Sequence, residues 1–218
     1  MIREKKLNSL AMYVILFFVI WTIYELLVKP YISLKLSPIT GTLIQTVIKL
    51  SVWSLPSYLL IKKNKNLPIP FPEIYNTKID WKKWTTLALG MILYLLIGSY
   101  FQYGNLEIRN SFKLITVINS VLFVGITEEL VFRGLILNTL LIKFNKWLVI
   151  VVSSVLFLMI HFPVWIQTNT FSANLSSGGF VQVFILGIIF SLSFIKSRNI
   201  FVPIMLHMVW NLFTILFY

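Results

Sequence analysis

Apolar residues in this chain fall into long blocks separated by short polar connections. A bilayer-crossing helix takes about 20 mostly apolar residues. The blocks Leu10–Val28, Ile39–Ile61, Trp84–Tyr103, Leu114–Ile142, Trp147–Ile166, Phe180–Ile195 and Ile200–Tyr218 each reach or approach that length. The pattern predicts an all-α fold, a polytopic membrane helix bundle of about seven transmembrane helices. The count runs from six to eight, because Leu114–Ile142 is too long for one untilted span and carries three charges near its middle. Lys49 and Pro56 interrupt the second block. The first follows Arg3, Lys5 and Lys6 and lacks both the short apolar core and the small-residue cleavage site of a signal peptide, so it is expected to be a retained span.

Between the second and third blocks, Lys62–Lys83 is the clearest polar stretch and holds six lysines. Within it, Leu67–Pro72 is expected to be extended, since prolines at alternate positions exclude helix. Trp81 and Trp84 read as interfacial anchors for the third span. Gln167–Gly179 is polar, rich in Ser and Asn, and uncharged. No internal repeat is evident.

Composition agrees with a membrane location. Hydrophobic residues make up 58% of the 218 and charged residues 12%, with a mean hydropathy of +0.86. A soluble domain carries about 45–50% apolar and about 25% charged residues. The excess here cannot be hidden in so short a chain, which excludes a soluble globular protein. The net charge of +12 would suggest nucleic acid in a soluble protein. On a membrane protein it reports orientation and contact with the lipid bilayer, so no nucleic-acid partner is expected. With an N-terminus placed in the cytoplasm, seven spans leave 14 of the 19 basic residues on the cytoplasmic side. Lys29, Lys35, Arg109 and Lys113 fall outside, which is a strong positive-inside asymmetry for a multi-pass protein of the cell membrane. The absence of cysteine removes disulfides, thiolate nucleophiles, cysteine metal sites and S-palmitoylation.

Ionisable groups within spans are where function is usually found. Glu128, Glu129 and Arg133 stand in Gly125-Ile-Thr-Glu-Glu-Leu-Val-Phe-Arg-Gly134. Each charge costs about 2.5–3.5 kcal/mol at a helix centre, so the three need partners or water. Glu129 and Arg133, four apart, share a helix face and can pair. Glu128 is rotated by about 100° and must look elsewhere, which suits a general base. A membrane–water interface, where such charges cost little, is the competing location. Glu25 lies at a span end near Lys29, and Lys49 can snorkel, so neither is assigned chemistry. The two histidines, His161 and His207, both fall in apolar helices, and Asn211 shares a face with His207. Either histidine alone suits interhelical hydrogen bonding. Together the polar residues form an inventory for hydrolysing an amide with activated water: a carboxylate base, an imidazole to orient the water, and a His–Asn pair to donate to an oxyanion.

Glu128-Glu129-xxx-Arg133, then Phe157-xxx-His161, then His207-xxx-Asn211, resemble in order and type the signature of the CPBP (CAAX protease and bacteriocin-processing) family. This is also called the Abi or type II CAAX prenyl endopeptidase family. The resemblance spans roughly residues 110–215 and implies an intramembrane glutamic endopeptidase. It implies Glu128 as the base that activates water, His161 as its helper, the Glu129–Arg133 pair as support, and His207 with Asn211 as the oxyanion hole. It divides one integrated membrane domain into N-terminal helices without catalytic motifs, 1–109, and a catalytic helical core, 110–218. Family members cleave prenylated CAAX proteins or act in bacteriocin maturation, self-immunity and peptide signalling. The Lys-, Asn- and Ile-rich composition matches a low-GC bacterium, so the implied substrate is a peptide or membrane protein without a prenyl group.

Three competing readings differ in class. Two histidines and a glutamate can bind zinc, but the His-Glu-x-x-His helix is absent, so the expectation is no cofactor. An immunity protein could inherit the motifs and act by binding alone. A small transporter draws only on generic intramembrane charge and lacks repeat symmetry. One geometric demand follows from the leading reading. His161 falls toward the outer end of its span while Glu128 and His207 fall nearer the middle, and the three must converge.

Overall fold

Each long apolar block winds into helix because lipid supplies no hydrogen-bond partners for an open backbone. A computed structural model describes residues 2–109, 115 and 117–218. Lys113 and Leu114, the expected start of the fourth span, lie outside these residues. In chain order the elements are α1 (Asn8–Lys35), α2 (Pro38–Lys63), the short α3 (Phe71–Asn76), α4 (Trp81–Tyr103), α5 (residues 117–140), α6 (Lys146–Gln167), the short α7 (Phe171–Ser176), α8 (Gly179–Ser197) and α9 (Phe201–Phe217). Among the described residues, α1, α2, α4, α6 and α8 are long and apolar enough to cross a membrane. The charged α5 and the 17-residue α9 pack among them, giving the polytopic helical bundle. Over its described residues 117–140 the fourth block is continuous helix, although 117–123 and 130–137 are wound as π-helix. Apolar side chains such as Ile15, Val19, Leu43, Val47, Leu93 and Ile97 stay exposed on the outer surface, as a lipid-facing belt requires.

Two local departures from the sequence expectation have simple causes. Leu67–Pro70 precedes the helix, and Pro70 is extended, but Phe71 and Pro72 open α3 rather than continuing that stretch. Proline is tolerated there because the first helical turn has no use for its missing N–H. Within α6, Ile160 is a single turn residue between Met159 and His161, three residues before Pro163. A proline within a helix removes one backbone donor and crowds the preceding turn. The Ile160 carbonyl accepts from Trp21 Nε1 at 2.9 Å, which ties α1 to α6.

Hydrogen bonds gather the connections at the two ends of the bundle. At one end Asn138 clamps the proline-rich segment, its Oδ1 accepting from Ile69 N–H at 3.1 Å and its Nδ2 donating to Ile69 O at 2.8 Å. Ile200 N–H donates to Ile74 O, Asn199 Nδ2 donates to Thr77 O, and Arg198 pairs with Glu73 at 2.6 Å. At the other end Arg109 N–H donates to Leu216 O at 2.9 Å. α6 and α8 pack closely at Gly187, where an added Cβ would lie 2.8 Å from Ser154 Cβ. Small residues let membrane helices approach in this way.

Candidate functional site

Glu129 is wholly buried, and its Oε1 accepts from two cations or donors at once. Arg133 Nη1 lies 3.0 Å away, one helical turn on, and His207 Nδ1 of α9 lies at 2.8 Å. Arg133 also has 0% exposure; its Nη2 donates to Gly187 O at 2.9 Å, and its guanidinium sits 4.4 Å from the Phe157 ring. The close α6–α8 approach at Gly187 thus positions the acceptor that holds Arg133. Arg133 also faces Phe190, which stacks on His207 at 5.0 Å and 16°. Three helices are therefore locked around one buried ion pair.

Glu128, one residue earlier, turns to a different face, as the helical rotation requires. It lines a cavity of about 310 Å³ together with His161, Asn211, Lys49, Asn119, Ser120, Glu25, Lys29 and apolar neighbours that include Trp21 and Trp210. Its Oε2 is buried and makes no hydrogen bond among the described residues; His207 Nε2 stands 3.9 Å from it. His161 Nδ1 donates to the Phe157 carbonyl at 2.9 Å, which leaves Nε2 of the neutral ring as an acceptor. Asn211 Nδ2 spends one hydrogen on Ser120 O at 2.9 Å and keeps the second.

The six residues singled out in sequence thus separate into two layers. Glu128, His161 and Asn211 face the cavity. Glu129, Arg133 and His207 stand behind it, with Phe157 between the two histidine rings, 5.2 Å from His161 and 5.8 Å from His207. Among the described residues, no three His, Cys, Asp or Glu side chains cluster as a metal ion would require.

Glu25 and Lys49 depart from the sequence expectation. Lys49 does not snorkel: it is 4% exposed, and its Nζ donates to Asn119 Oδ1 at 3.2 Å. Asn119 in turn donates to Gln45 Oε1 at 3.2 Å. Glu25 is buried and pairs with Lys29 at 2.6 Å. Both stand in the cavity wall because α1 and α2 line it together with α5, α6 and α9. A signal existed in the sequence: Lys49 sits mid-span, and a mid-span ionisable residue marks a functional position by default. π-helical turns at 24–28, 50–54, 117–123 and 130–137 contain or adjoin Glu25, Lys49, Asn119 and Arg133. Such turns recur at functional sites because they re-aim side chains that a regular helix would misplace.

Residues 110–213 match the model of the family described as type II CAAX prenyl endopeptidase Rce1-like. The match includes all six residues of the two layers and excludes α1 and α2. No curated protein and no solved structure matches the chain.

Proposed function

Residues 110–213 are an Rce1-like type II CAAX prenyl endopeptidase domain in a multi-pass membrane protein, and from that premise we propose a glutamate-driven hydrolysis of a peptide bond inside the cavity. The observation that carries the reading is Glu128 Oε2, buried without a hydrogen bond among the described residues, in the wall of a cavity that His161 also lines. Water held between them loses a proton to Glu128 as its oxygen attacks the scissile carbonyl. The tetrahedral oxyanion takes a hydrogen bond from the remaining Asn211 N–H. His207, its Nδ1 committed to Glu129, stands behind the cavity with Nε2 3.9 Å from Glu128 Oε2, where it positions the base. Collapse of the intermediate breaks the C–N bond, and the proton on Glu128 passes to the leaving amine. Glu129 and Arg133 touch no reacting atom; they hold His207 in place. No metal enters any step.

The lysine-rich stretch Lys62–Lys83, Lys143–Lys146 and Lys196–Arg198 share one end of the bundle, which the positive-inside rule assigns to the cytoplasm, with the N-terminus on that side. Cavity residues come instead from the second half of α1, the middle of α2, the first half of α5, the end of α6 and the end of α9. The cavity thereby belongs to the outer half of the cell membrane, and its substrate is a peptide or membrane protein reached there. In a bacterium this suits bacteriocin or peptide processing, or self-immunity.

The test is cleavage of a membrane-tethered peptide library by the detergent-purified protein, with and without 1,10-phenanthroline. Wild type is expected to cut, with or without chelator, and Glu128→Ala to be inert. Equal cleavage by both proteins sinks the mechanism. Loss of activity in chelator, restored by zinc, transfers it to a metal. Producer cells that keep full immunity with Glu128→Ala and His161→Ala at normal abundance would favour action by binding.

A further inference from the structure

Lys49 lies in the part of the chain outside the family match, yet it shares the cavity with Glu128. Among the described residues it is the cavity cation with no carboxylate at ion-pair distance, because Glu25 is taken by Lys29. Its three N–H donors have one described acceptor, Asn119 Oδ1. A buried ammonium held so incompletely is costly unless an anion completes it. A lipid phosphate cannot do so: at 1.5 Å per residue, Lys49 is about 16 Å from one end of α2 and about 21 Å from the other, deep below the headgroups. The Lys49–Asn119–Gln45 chain of hydrogen bonds fixes the ammonium in the wall, and a fixed donor can select a ligand.

We infer that Lys49 is a specificity-determining residue that binds a carboxylate of the substrate peptide, placing the scissile bond against Glu128. The carboxylate comes from a chain terminus or from an Asp or Glu side chain beside the cleavage point. This inference rests on the cavity being the peptide-binding site. A charge-assisted hydrogen bond of this kind corresponds to about a tenfold to hundredfold preference.

The experiment uses a membrane-tethered peptide library made in matched sets that differ in one carboxylate: free C-terminus against C-terminal amide, and Asp or Glu against Asn or Gln. Cleavage is measured with wild type and Lys49→Met. Binding is measured with the same sets on Glu128→Gln and on Lys49→Met/Glu128→Gln, so that it does not depend on turnover. Wild type is expected to favour one carboxylate set by about tenfold or more, mainly through KM. Lys49→Met should bring that ratio close to one, and Lys49→Arg should keep much of it. The set that responds identifies the source of the carboxylate. Lys49→Gln, which retains a donor for Asn119 without the charge, replaces Lys49→Met if the latter does not fold. An unchanged ratio in the Lys49 variants overturns the inference, as does the absence of carboxylate preference in both readouts. A uniform fall in kcat across all sets also overturns it, since Lys49 would then act on Glu128. Carboxylate-dependent binding through Lys49 without cleavage by wild type would retain the inference and remove the proteolytic reading.

Discussion

Glu128 and Glu129 are adjacent in sequence, yet their removal should damage different properties. Glu129→Gln deletes the charge that faces Arg133 Nη1 at 3.0 Å and His207 Nδ1 at 2.8 Å, all within a region of near-zero exposure. Removing one partner of a buried ion pair costs about 3–5 kcal/mol, because the other charge is stranded. Glu128→Gln deletes a charge whose Oε2 has no hydrogen bond, so stability should stay within about 0.5 kcal/mol of wild type or rise. Activity should respond in the opposite order of cause. Glu128→Gln removes the base directly and should lower kcat by about 10²–10⁴-fold in an otherwise stable protein. Glu129→Gln should lose activity along with the fold around His207. Equilibrium unfolding in mixed detergent–SDS micelles measures the stabilities, and peptide cleavage measures kcat on the same preparations. The double variant Glu129→Gln/Arg133→Met removes both charges and should recover at least about 1 kcal/mol relative to the sum of the single variants. Equal destabilisation by Glu128→Gln and Glu129→Gln, or additivity in the cycle, would refute the two-layer arrangement.

Two further expectations test the frame that holds the site. Gly187→Val forces a side chain into Ser154, whose Cα and Cβ lie 3.0 and 2.8 Å from an added Cβ, and should cost about 2 kcal/mol of overpacking. Gly90→Ala, with nothing within 4 Å of its added Cβ, should be neutral or slightly stabilising in the same unfolding assay. The chain has no cysteine, so single cysteines report orientation without background. Asn105→Cys should react with an impermeant maleimide on intact cells and Lys65→Cys only after permeabilisation; the reverse pattern would move the cavity to the cytoplasmic half.

Much of the fold was legible because the membrane constrains it so strongly. Seven apolar blocks in the sequence correspond to seven helices, since a backbone in lipid has few alternatives to helix. The Glu129–Arg133 pair was readable from i, i+4 spacing alone, and the structure has that contact. Pro72 in the first turn of α3 was not, because an alternating proline pattern does not say which proline falls at a helix start. Lys49 and Glu25 escaped for another reason. A lysine in an apolar span reads identically whether its stem reaches an interface or its ammonium is enclosed, and only the packing of α1 and α2 against α5 decides which.

The sequence by itself determined the class of protein, its architecture as a helical bundle and the identity of the polar residues within it. Those properties follow from local chemistry: transfer costs, helical periodicity and the bias of basic loops. Tertiary structure alone decided which polar residues share a space. It set Glu128, His161 and Asn211 on a cavity, put Glu129, Arg133 and His207 behind them, and brought Lys49 from a distant helix into the same wall. Helices that pack at Gly187 and meet at Ile160 bring together side chains tens of residues apart in the chain, and spacing along one helix holds no record of that convergence.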